Sequence, residues 1–190
     1  MRILIALAAA LISTSAFAHT GHADATGLFH GLMHPFSGLD HVLAMIAVGV
    51  LAYVIGGRAR FALPLSFMAA MLAGGAFGMS GFALPMVEAG IGASIIVVAG
   101  LAASGASLPI WLTSALVAFF GLFHGFAHGA EMPADASGLA YAAGFIAASG
   151  LLHVTGLALG QTFSAKSRYA ARIGSAAMAL AGVAVISGAL

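Results

Sequence analysis

The chain has 190 residues, 62% of them hydrophobic and 6% charged, with a formal net charge of +1 and a mean hydropathy of +1.12. Soluble domains carry about 25% charged residues, so six basic and five acidic side chains cannot cover a water-exposed surface of this size. This excludes an ordinary soluble enzyme, a disordered chain and an electrostatic nucleic-acid binder, and predicts an all-α, polytopic membrane helical bundle. Cysteine is absent, which removes disulfides, thiolate metal sites and cysteine nucleophiles. The eight histidines outnumber the five acids, an unusual balance in so apolar a chain.

In chain order, Met1-Arg2, the apolar run Ile3–Ile12 and the small-residue site Ala16-Phe17-Ala18 predict a signal peptide over residues 1–18, cleaved after Ala18. Residues 19–190 then form a single transmembrane domain whose first residues, His19-Thr20-Gly21-His22, lie outside the cytoplasm. Those two imidazoles and the free amine suit either external metal collection or a tail without a fixed role. Six apolar stretches follow, at Ser37–Ile55, Phe61–Met79, Val87–Ala103, Pro109–His128, Gly138–Leu159 and Ala170–Gly188. Each is near the ~20 residues that cross a bilayer as a helix.

Charge orients these six predicted spans. Arg58, Arg60, Lys166, Arg168 and Arg172 all lie in or beside the first and fifth connections. Basic residues favour the cytoplasmic side, so both mature termini are expected in the periplasm of a bacterial inner-membrane protein. Glu88, Glu131 and Asp135 then lie at the outer side. Small residues four apart let helix backbones approach closely in lipid, and Gly121/Gly125/Gly129, Gly74/Gly78 and Gly156/Gly160 repeat that spacing. Such faces suit packing within one bundle or between copies of the chain in a homo-oligomer.

The chemistry concentrates in two segments. His124, His128 and Glu131 follow one another at spacings of four and three, which stacks them on one helix face. Two imidazoles and a carboxylate are good ligands for a borderline divalent metal. The second segment runs His34-Pro35-Phe36-Ser37-Gly38-Leu39-Asp40-His41. Pro35 suits a first helical turn, making His34 a residue that precedes or caps the helix. Asp40 within a span costs roughly 2.5–3.5 kcal/mol on insertion scales and needs a partner, a cavity or a metal. Opposite span directions bring His34, Asp40, His41, His128 and Glu131 to the outer end, with Glu88 at the start of the third span, so the set predicts an outward-facing cation site. The match between Phe29-His30-Gly31-x-x-His34 and Phe123-His124-Gly125-x-x-His128 reads as a recurring ligand motif, since an inverted duplication would send its copies to opposite faces. His153, nearer the cytoplasmic half, suits a helix-to-helix hydrogen bond or an exit-side ligand. Met68 and Met71 share a helix face and read as core filling.

His34-Pro35-x-x-Gly38-x-Asp40-His41 and Phe123-His124-Gly125-x-Ala127-His128-Gly129-x-Glu131 resemble the two signatures of the HupE/UreJ family, and the resemblance extends over essentially the whole chain. Members are described as nickel permeases associated with hydrogenase or urease maturation. The resemblance implies that His34, Asp40, His41, His124, His128 and Glu131 occupy motif positions, with Glu88 as a further carry-over. It implies Ni²⁺ as a transported substrate rather than a cofactor, and an indirect link to hydrogenase or urease maturation proteins. His and carboxylate ligands also accept Co²⁺ or Zn²⁺. Two other readings use the same residues: an intramembrane zinc hydrolase with Glu131 as base, and a metal-binding delivery subunit that does not transport.

Overall fold

The computed structural model describes residues 23–106, 108–132 and 138–189. The predicted signal peptide, His19, His22 and Asp135 lie outside them. Every regular element among the described residues is a helix: α1 (Ala23–Met33), a 3-10 turn (His34–Phe36), α2 (Leu39–Ile55), α3 (Ala59–Met79), α4 (Val87–Ser104), α5 (Ile110–Ala130), α6 (Gly138–Lys166) and α7 (Arg168–Ile186).

The five helices α3 to α7 contain segments long and apolar enough to span a bilayer, and the bent pair Gly27–Phe36 and Leu39–Ile55 brings the number to six if counted as one span. This pair corrects the first expected span. The sequence pattern put Pro35 in the first turn of the spanning helix. Instead Pro35 sits in the separate 3-10 turn, and Gly38, in extended backbone, opens α2 after an 80° bend. Proline is restricted to conformations such as a first turn, and it disfavours an α conformation in the residue before it. A helix approaching from the N-terminal side therefore ends here. A second difference lies in α6, which runs on to Lys166 and leaves only Ser167 between it and α7. The Ser167 hydroxyl accepts a hydrogen bond from the Ala170 N–H at 3.0 Å and caps the new helix.

The helices pair lengthwise. α3 packs along α5, α2 along α6, and α4 along α7, while α2 also touches α3 and α4 and α1 lies on α6. The glycine spacing explains the closeness of these pairs. A Cβ at Gly125 would land on the Met71 carbonyl, and one at Gly156 on the Ile46 carbonyl, so only glycine lets the backbones meet there. The turn between α2 and α3 needs glycine for a different reason, because Gly56 and Gly57 hold φ of 78° and 54°.

The radial distribution of side chains is that of a membrane protein. Phe61, Trp111 and Leu139 are 73%, 69% and 86% exposed, whereas His124, His128 and His153 are buried. Water would reward the reverse arrangement. The residues at the end of α2, the end of α4 and the start of α7 lie together, since Tyr53, Gly105 and Arg172 border one cavity. At the opposite end Met79, Met132 and Gly138 border another.

Candidate metal centre

Four imidazoles from three segments converge at the end opposite the arginines. His34 comes from the 3-10 turn, His41 from the first turn of α2, and His124 and His128 from the last two turns of α5. The His128 ring lies 4.7 Å from that of His34 and 4.2 Å from that of His41, and His41 lies 4.9 Å from His124, all measured between ring centres. α2 and α5 both pack on α3 and α4, and this arrangement brings their imidazoles together, which spacing on one helix could not do.

The hydrogen bonds determine which ring nitrogens are bare. Asp40 Oδ1 accepts from the His41 backbone N–H at 2.8 Å and faces His41 Nδ1 at 2.7 Å. An ionised carboxylate can only accept, so His41 Nδ1 carries the proton and Nε2 keeps its lone pair. That Nε2 is buried without a partner. Adjacent helical residues diverge by about 100° at Cβ, but the short Asp40 side chain folds back along the first turn and supports its neighbour. His124 is held from the other direction. The Ser94 hydroxyl donates to the Ile91 carbonyl at 2.5 Å, so its oxygen accepts from His124 Nε2 at 2.9 Å. His124 Nδ1 is then the bare nitrogen, and it too is buried and unpartnered. Neither nitrogen of His128 has a partner.

A second group adjoins the first through His128. His34 Nε2 lies 3.2 Å from Glu131 Oε2, and ligand atoms of His34, His128 and Glu131 all fall within 4.8 Å of one another. Glu131 caps the C-terminus of α5 and its side chain is 62% exposed, so this triad stands at the open edge of the cluster. Tyr141 and Phe145 wall it. Tyr141 lies 5.7 Å from His34 and stacks on Phe145 at 6.2 Å, and Phe145 lies 4.2 Å from His128.

Six of the seven expected residues therefore assemble: His34, Asp40, His41, His124, His128 and Glu131. Glu88 does not join them. It is exposed on the first turn of α4 and makes no hydrogen bond or ion pair among the described residues. His30, the counterpart of His124 in the recurring motif, is also exposed. Sequence reasoning missed Ser94, Tyr141 and Phe145. A hydroxyl inside the apolar run of α4 was a usable signal for Ser94. Nothing local distinguishes the two aromatics from core filling. The donor atoms of His34, His128 and Glu131 lie close enough to share one ion, and imidazole nitrogen with carboxylate oxygen suits a divalent cation of borderline softness.

A multi-pass helical membrane protein with an internal imidazole–carboxylate cluster is the class these features define. The family described as HupE / UreJ protein matches residues 7–185, and the chain belongs to it. Protein HupE of Rhizobium leguminosarum bv. viciae is 42% identical over 189 residues, covering 98% of this chain and 98% of that protein. No solved structure matches.

Proposed function

We propose that this chain is a secondary permease that carries Ni²⁺ from the periplasm to the cytoplasm. It is built as six transmembrane helices after a cleaved signal peptide, with α1 and α2 as the first, bent span, and it supplies hydrogenase or urease maturation. The observation that carries the reading is the convergence of His41, His124 and His128 with unpartnered ring nitrogens. A buried polar atom without a partner is costly, and an arriving cation removes that cost for several atoms at once. Half-buried His34 and exposed Glu131 offer a first landing place, and His128, shared by both groups, allows hand-over inward.

Imidazole nitrogen and carboxylate oxygen suit Ni²⁺ and leave Co²⁺ and Zn²⁺ as competitors. The five mature basic residues lie at the ends of α2, α3, α6 and α7 away from the cluster, which supports a cytoplasmic placement of that end and a periplasmic cluster. Binding to bare nitrogens competes with protons, so acidification on the outer side opposes loading. Membership of the HupE/UreJ family supports transport over catalysis.

Purified protein in sealed liposomes, with external radioactive Ni²⁺ and no energy source beyond an imposed gradient, tests this. Time-dependent accumulation inside, competed by excess Co²⁺ or Zn²⁺ to an extent that measures selectivity, is the expected result. Stoichiometric binding without accumulation would instead identify a delivery subunit.

A further inference from the structure

His153 lies apart from the outer cluster, midway along α6, and is 1% exposed. Neither of its ring nitrogens has a hydrogen-bond partner of good geometry, the Ser149 backbone one turn earlier lying beside it. Its ring centre is 5.3 Å from that of Phe67, and the same Phe67 ring is 5.2 Å from His124. Phe67 is fully buried. A single phenyl ring thus touches both imidazoles, and the two histidines make no ring contact with each other among the described residues.

The surroundings of His153 face the arginine-bearing end. The residue contributes to the wall of a groove of about 570 Å³ between α3 and α6, shared with Tyr53, Arg60, Met68 and Gln161. The groove is otherwise largely apolar, with Phe61, Leu65 and Val154 along it, and three further donors are spaced along its length. Met68 supplies a flexible thioether and Gln161 a carboxamide oxygen, and Pro64, which lacks an N–H, leaves the Arg60 carbonyl without its usual helical donor. Arg60 is held over the Tyr53 ring at 4.7 Å, so the groove also carries a fixed positive charge. One imidazole with weak sulfur and oxygen donors, beside a cation, binds a divalent ion far less tightly than the outer cluster does. Conduction needs that gradient, since an ion must bind well enough to enter and weakly enough to leave.

We propose that His153 is an inner cation station, separated from the outer cluster by the Phe67 ring, where the transported ion meets one imidazole before passing along the weak donors of the α3–α6 groove to release. The proposal rests on the permease reading and adds an exit site to it.

The absence of cysteine makes a clean test available. In full-length His153→Cys, the introduced thiol is expected to react with a membrane-impermeant thiol reagent in inside-out vesicles and not in right-side-out vesicles, and Ni²⁺ is expected to slow the reaction. Labelling from the outer side only, or no labelling at all, as when a lipid chain fills the groove, overturns the proposal. In liposomes, His153→Ala is expected to lower Ni²⁺ uptake by about tenfold, the scale on which losing a group around a metal acts, while equilibrium Ni²⁺ binding to the detergent-purified protein stays within about twofold. His153→Gln keeps volume and polarity with a poorer ligand, and it decides the matter if the alanine variant does not reach the membrane. Wild-type uptake by either variant, with the wild-type chain transporting normally, removes the inner station and leaves the permease reading standing. If the wild-type chain itself moves no Ni²⁺, the permease reading falls and the inner station falls with it.

Discussion

His41 illustrates how one carboxylate can define an imidazole. Asp40 holds the Nδ1 proton and leaves Nε2 with its lone pair free, beside the His124 and His128 rings. Asp40→Asn keeps the size and an acceptor oxygen but removes the charge that raises the basicity of Nε2. Ni²⁺ uptake is expected to fall about 10–100-fold at limiting nickel, the range typical of losing a partner behind a metal ligand, with membrane insertion unchanged by immunoblot. Full uptake by this variant would show that the charge is dispensable. Ser94 acts on His124 from the opposite side. Ser94→Ala leaves Nε2–H without an acceptor and frees the ring to choose the wrong tautomer. Its apparent Ni²⁺ affinity, read from the concentration dependence of uptake, is expected to weaken by about tenfold. Ser94→Thr, which restores the hydroxyl, should recover part of the loss, whereas a purely volumetric role would predict no such recovery.

At the scale of elements, the position of the histidines depends on how closely α3 and α5 approach. Gly125 stands one residue after His124, and its place against the Met71 carbonyl has no room for a methyl group. Gly125→Ala is expected to force the pair apart and destabilise the bundle by about 1–3 kcal/mol, lowering the melting temperature in detergent and Ni²⁺ uptake together. An unchanged melting temperature would mean that the helix pair tolerates separation. The short helix α1 is the element that sequence reading overlooked. Its sequence, Ala23–Met33, contains two glycines and no strong apolar stripe. It is held instead by close backbone approach, with Gly31 against the Tyr141 carbonyl and Gly144 against that of Leu28. Periodicity detects side-chain burial and is blind to such contacts. α1 matters because it delivers His34 to Glu131.

For the whole molecule, the burial of histidine and the exposure of phenylalanine, tryptophan and leucine make sense only in lipid. Arg58, Arg60, Lys166, Arg168 and Arg172 gather at one end of the bundle, with the cluster at the other. The expected topology has both mature termini periplasmic. A reporter active only in the cytoplasm, fused after Leu190, should be silent, and one active only in the periplasm should be bright. The opposite pattern would invert the bundle and make the outer cluster an exit.

Composition and hydropathy were enough to set the membrane class and to place the six apolar stretches that became α2 to α7, because transfer free energy adds along a chain whatever its neighbours are. Spacing and motif resemblance picked out His34, Asp40, His41, His124, His128 and Glu131 as candidates, and the fold brings these six together. Tertiary structure decided most of what each side chain touches. It gave His124 the Ser94 hydroxyl from 30 residues away and joined His34 to Glu131 across 97 residues, whereas the Asp40–His41 contact is made within one helical turn. It also left Glu88 apart and set Phe67 between His124 and His153. A ring nitrogen becomes a ligand or a hydrogen-bond donor according to which group lies within about 3 Å of it. Where segments distant in sequence make those contacts, the outcome follows from how the helices pack.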